Sequence, residues 1–179
     1  MGGLRALNTV LLVLAFALLL ASGTQREKAV LAPGHEATVR GLEARYAMRH
    51  DAASLKDLAQ GYLDAGAPGL AVAAIEAAPT DVRHDIYVEH TYARALIDSG
   101  RASDALVAEE EVLAACDRGL DSTQAGGKQC DAWLLASATR RADILRELEK
   151  LGIDDAQAHP ESAAVAYHAA TREARMSLQ

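Results

Sequence analysis

LAQGYLDAGAPGLAVAAI, residues 58–75, returns 34 residues further on as YARALIDSGRASDALVAE, residues 92–109. The overlay pairs Ala59 with Ala93, Asp64 with Asp98, Gly66 with Gly100, Ala71 with Ala105 and Ala74 with Ala108. Apolar positions match in kind: Leu58 with Tyr92, Tyr62 with Leu96, Leu63 with Ile97 and Val72 with Leu106. An echo at this period is the signature of stacked helix–turn–helix units. The glycine in the middle of each copy suits the left-handed residue that closes a helix.

Outward from these copies, the spacing of apolar residues predicts further helices. Ser54 to Ala65 and Gly69 to Ala78 form the first hairpin, stopped by Pro79. Asp85 to Ser99 and Asp104 to Ala115 form the second, with Ser103 placed as the N-cap of the returning helix. Upstream, residues 35–49 read as a capping helix carrying Val39, Leu42 and Tyr46. Downstream, residues 117–129 hold three glycines and read as a loop. A helix from Asp131 to Leu151 follows, its stripe marked by Trp133, Leu134, Ala138, Ala142 and Leu145, and Gly152 ends it. Pro160 then opens a last helix reaching Met176.

The composition agrees with an all-α fold. Half of the residues are apolar, much of that half is alanine, and aromatics make up only 4%. Alanine favours helices and close helix packing, whereas the residues that strands prefer are sparse. A chain of 179 residues allows one domain and a terminal appendage. The net charge is −7, and no basic stripe is interleaved with aromatics. An acidic body repels phosphate backbones, so nucleic acid is excluded as the partner.

The appendage is residues 1–23. Residues 6–23 carry no charge and run unbroken through VLLVLAFALLLA at residues 10–21, with Arg5 ahead of them. A positive start followed by an apolar run reads as an export signal. Its length also meets the lower limit for spanning a bilayer core of about 30 Å. A removed signal peptide and a retained transmembrane helix both remain open, and both place the body outside the cytoplasm. Residues 24–34 read as a polar linker ending in Pro33-Gly34, and residues 35–179 as the helical domain, including the Cys-bounded loop 116–130.

The layout of residues 52–115 resembles the tetratricopeptide repeat family. The resemblance rests on Leu55, Leu58, Ala59, Tyr62, Ala71, Ile75 and Pro79, and in the second unit on Tyr92, Ala93, Leu96, Gly100 and Ala105. Small residues at Ala59 and Ala71 are expected where paired helices cross. The chain departs from the pattern at Glu89 and Glu109, where apolar residues are expected, and lacks the second closing proline. The resemblance implies a short stack of helix pairs whose concave face takes a protein or peptide. By register that face comprises Lys56, Gln60, Leu63, Tyr87, His90, Arg94 and Ile97. Lys56 and Arg94 would grip a carboxylate, with Leu63 and Ile97 supplying apolar contact.

Other chemistry is sparse in the linear pattern. Cys116 and Cys130 are the only cysteines, and in an exported chain an even count suggests a disulfide. The six histidines show no i,i+4 pair, so no metal site and no cofactor is expected. No nucleophile elbow, phosphate-cradling loop or dinucleotide fingerprint appears. The function expected is therefore non-enzymatic: protein–protein interaction in the cell envelope, periplasmic or otherwise extracytoplasmic, by an anchored or secreted chain. The alternative is an assembly component that self-associates through a hydrophobic patch of Trp133, Leu134 and Leu145.

Overall fold

Each half of the internal echo folds back on itself at its glycine. In the computed structural model, which describes residues 31–121 and 130–176, Gly66 and Gly100 have φ of +69° and +73°. The Gly66 N–H donates to the Leu63 carbonyl and the Ala67 N–H to that of Tyr62. Thirty-four residues on, Gly100 donates to Ile97 and Arg101 to Leu96. This paired bonding satisfies carbonyls that the helix end leaves without a partner. A third copy occurs where the linear echo has faded: Gly152, at φ +69°, donates to Glu149, and Ile153 donates to Leu148.

The described residues form eight helices and no strand. They are α1 (Glu36–Arg49), α2 (Ala52–Asp64), α3 (Pro68–Glu76), α4 (Thr80–Arg83), α5 (Ile86–Asp98), α6 (Ala102–Asp121), α7 (Ala132–Lys150) and α8 (Pro160–Met176). Helix α1 packs on α2, α2 on α3, α5 on α6, α6 on α7 and α7 on α8, and α5 also packs against both α2 and α3. Alanines make this nesting possible. Ala59, Ala71, Ala93 and Ala105 are all fully buried, and Leu55, Ile75, Val88 and Leu96 fill the space around them. A second cluster of Val112, Cys116, Leu134 and Ala138 joins α6 to α7.

Several boundaries differ from those expected. Pro68 is the first residue of α3 rather than part of the turn, which suits its fixed φ and missing N–H. The single turn α4 follows Pro79, whose carbonyl receives the Val82 and Arg83 N–H groups, and Val82 tucks into the core. Ser103 is not an N-cap. Helix α6 begins at Ala102, and its first N–H groups are met from the α7–α8 turn: Ala102 donates to the Asp154 carbonyl and Ser103 to Asp154 Oδ1 at 2.7 Å. Helix α6 also continues past Ala115 to Asp121, shortening the expected loop; the remainder of that loop, 122–129, lies outside the described residues.

The expected patch of Trp133, Leu134 and Leu145 does not form. Leu134 and Leu145 are buried at the interfaces of α7 with α6 and the main core, whereas Trp133, one residue around the helix, stands 67% exposed. The apolar segment 6–23 lies outside the described residues. Among the described residues no helix is long and apolar enough to cross a membrane.

Candidate functional site

One face of α2 and the same face of α5 open onto a cavity of about 350 Å³. Helix α2 contributes Lys56, Asp57 and Gln60, and α5 contributes Tyr87, His90, Thr91 and Arg94. Spacings of three and four residues put Lys56 above Gln60 and align Tyr87, His90 and Arg94. The internal echo superposes Lys56 on His90 and Gln60 on Arg94, and the latter pair meets across the helices, Arg94 Nη1 donating to Gln60 Oε1 at 3.4 Å. Five of the seven residues expected on this face thus line one cavity.

Leu63 and Ile97 do not. The C-terminal turn of α2 is enclosed in the core with Tyr62 and Ala65, and Leu63 is buried there, while Ile97 packs half-buried against the same cluster. The register that faces the cavity early in each helix is covered by neighbouring elements by its end.

The third wall comes from α7, and sequence reasoning missed it. Trp133 and Arg141 complete the cavity. Asp131 caps α7 by accepting from Leu134 N, and its other oxygen accepts from the Tyr87 hydroxyl at 2.9 Å. The backbone N–H of Leu134, followed by that hydroxyl, holds the Asp131 carboxyl below the usual carboxylate range. Cys130 immediately precedes this cap and stands at disulfide distance from Cys116, the Cα atoms 5.3 Å apart. Trp133 is therefore carried on a helix start fixed by a cap, a tyrosine and a cysteine pair, and its ring meets that of His90 edge-on.

Beneath the cavity is a buried polar network. Glu109 is fully buried on α6, at a position where the repeat pattern calls for an apolar residue. Its Oε1 accepts from Arg141 Nη1 at 2.5 Å and its Oε2 meets His90 Nδ1 at 2.9 Å. The same Arg141 nitrogen donates to the His90 carbonyl at 2.8 Å, and His90 Nε2 meets Ser137 Oγ at 3.1 Å. These residues come from three helices and the bonded partners lie 19 to 51 positions apart, so no linear motif announces them. The available signal was Glu109 itself, a carboxylate on an apolar stripe.

Two of the three cations at the cavity are loosely held, and Arg141 is anchored on Glu109. Lys56 Nζ lies 3.9 Å from Asp57, and Arg94 Nε lies 3.8 Å from Asp98, on half-exposed side chains. Arg141 uses a single nitrogen for its buried bonds. Three positive groups and one exposed indole therefore converge within a body that is acidic overall. Glu89, the other acid at an expected apolar position, lies away from this cavity. Burial first, then the Glu111 charge, pushes its carboxyl up to about 7, against the pull of Arg83. Among the described residues no group of three or more His, Cys, Asp or Glu side chains is placed to hold a metal ion.

What these helices define is an all-α protein with a cationic, indole-edged cleft. The chain matches no protein-family model, no curated protein and no solved structure.

Proposed function

We propose that this is a tetratricopeptide-like helical-repeat protein that binds a protein or peptide partner outside the cytoplasm, exported by or tethered through residues 6–23. The observation that carries this reading is the convergence of Lys56, Arg94 and Arg141 with Trp133 on one cavity. Lys56 and Arg94, with loose and half-exposed partners, can exchange them for a ligand carboxylate without leaving a buried charge stranded, while Arg141 stays on Glu109 and adds its charge to the wall. The exposed ring offers an apolar contact of low entropic cost, of the kind that anchors protein interfaces. Placement outside the cytoplasm draws support from the Cys116–Cys130 pair, since such bridges persist in oxidising compartments. Self-association finds less support, because two of the three residues proposed for its patch lie in the core.

Trp133 is the only tryptophan, so its emission reports on the cavity alone. Titration with short peptides ending in an apolar residue and a free carboxylate should change that emission saturably. Replacing both Lys56 and Arg94 by Ala should weaken binding at least tenfold, since a bond to a charged group contributes about 1.5–3 kcal/mol. Equal affinity for peptides with free and amidated ends, or for the double variant, would refute the reading.

A further inference from the structure

The Glu109 network ends at a hydroxyl on the wall of a second cavity. Ser137 lines a space of about 430 Å³ together with Trp133, Ala136, Arg140, Arg141 and Ile144. We propose that Ser137 is a nucleophile, with His90 as its general base and Glu109 orienting that base, and that the site accepts acyl groups from small carboxylate-bearing esters. This goes beyond peptide binding and does not depend on it.

The argument begins with hydrogens. Two groups approach His90 Nδ1, Glu109 Oε2 at 2.9 Å and Arg141 Nη1 at 3.4 Å. A carboxylate oxygen beside Arg141 accepts, so the shorter contact assigns the ring hydrogen to Nδ1. Arg141 Nη1 spends its hydrogens on Glu109 Oε1 and the His90 carbonyl. In the neutral ring Nε2 is then an acceptor, and its partner at 3.1 Å is the Ser137 hydroxyl, which must donate. A base within reach of a hydroxyl, and itself oriented by a third group, is the arrangement that activates a serine. Arg141 occupies the other Glu109 oxygen at 2.5 Å, so the carboxylate is fixed from both sides. Glu109 is a positioning residue, Ser137 and His90 are the catalytic pair, and Arg141 both fixes Glu109 and faces the substrate cavity.

A buried carboxylate that only filled space would be a poor choice. An apolar side chain at position 109 would satisfy the core without the desolvation cost that even a paired charge carries. Places where the pattern of a fold is broken in this way are where function is expected.

The step balances without a further reagent. Ser137 Oγ bonds to the ester carbonyl carbon as its proton passes to His90 Nε2. The bond from that carbon to the alcohol oxygen breaks, and the alcohol leaves with the proton. Water then adds to the acyl carbon, giving a proton to Nε2. That proton returns to Oγ as the acyl–Oγ bond breaks and the acid departs. Within α7 the backbone N–H groups near Ser137 belong to the helix, so charge on the carbonyl oxygen falls to Arg140 and Arg141. These lie three and four residues on, over the same helix face and cavity. They also select a substrate carboxylate, and Trp133 with Ile144 receives its apolar part.

The test is treatment of the full chain with a fluorophosphonate probe, followed by peptide mapping. The adduct should fall on Ser137 ahead of Ser54, Ser99 and Ser103, and be absent in Ser137→Ala. His90→Gln should slow labelling about 10²-fold, the low end of general-base contributions. Labelling of the unaltered chain should follow a single ionisation, which Glu109→Gln displaces along the pH axis; a purely structural carboxylate would not move it. A chain that gives no adduct on Ser137, or equal labelling of all serines, overturns the proposal whatever the variants do, and leaves the peptide titration with Trp133 unaffected.

Discussion

At Glu89 the chain holds a buried carboxyl on α5 whose ion-pair partner is His84 Nε2, at 3.9 Å. Its ionisation is opposed by burial and by Glu111 on α6, and helped by Arg83 on α4. The folded carboxyl is pushed up to about 7 from an ordinary 4.5, so between these values the native state binds more protons than the unfolded chain. Stability then falls as pH rises through that window, and the cost is complete above it. Glu89→Gln should raise urea-unfolding stability at pH 8 by on the order of 1–3 kcal/mol and change it little at pH 4.5. An equal effect at both pH values would contradict the buried placement. Ala71 poses the opposite case, a side chain that matters for its smallness. It is fully buried in the core cluster shared by α2 and α3, so Ala71→Leu should lower stability by about 1–3 kcal/mol through overpacking. A neutral outcome in the same melt would mean that the helices do not nest at this residue. Both sites were visible in the sequence, one as an alanine repeated at a fixed interval and the other as an acid on an apolar stripe. What each does was legible only for the alanine, because neither the depth of Glu89 nor the charges around it follow from linear spacing.

Among the elements, the helix pairs were readable and their ends were not. Periodicity and the repeated glycines report on backbone geometry within a few residues, which is why α2, α3, α5 and the start of α8 fall close to expectation. Caps depend on whichever acceptor the fold brings near. Ser103 has the chemistry of an N-cap, yet α6 is capped by Asp154 from 51 residues away. The same turn explains why Gly100 suits its place twice over: its φ is +73°, and a Cβ there would stand 3.0 Å from the Asp155 carboxyl carbon. Exchanging the two caps in a mutational test separates local from tertiary capping. Asp154→Ala should cost about 1 kcal/mol, typical of a lost N-cap acceptor, while Ser103→Ala should fall within about 0.5 kcal/mol of zero. The reverse order would show that α6 is capped from within its own sequence.

Across the whole molecule, the third helix pair is where sequence and structure part most. Its closing turn repeats the bonding at Gly66 and Gly100, but the interval to it is 52 residues rather than 34, so no overlay reveals it. The candidate cleft inherits that division: the walls from α2 and α5 follow from the echo, and the wall from α7, with Trp133 and Arg141, does not. What joins this third wall to the rest is the stretch from Cys130 to Leu134, in which the cysteine pair, the Asp131 cap and the Tyr87 hydroxyl bond act within one helical turn. Closing a loop of this size stabilises the fold by about 3 kcal/mol in the loop-entropy account. Reduction should therefore add two hydrogens to the mass and lower the unfolding midpoint, with far-UV dichroism still strongly helical at low denaturant. Because the α7 start would then rest on Asp131 and its Tyr87 partner without the cysteine pair, Trp133 emission should change on reduction, and peptide affinity should fall with it. A reduced chain with the same midpoint would show that Asp131 and its Tyr87 partner suffice to hold the indole against His90, and that the cysteines contribute nothing to the cleft.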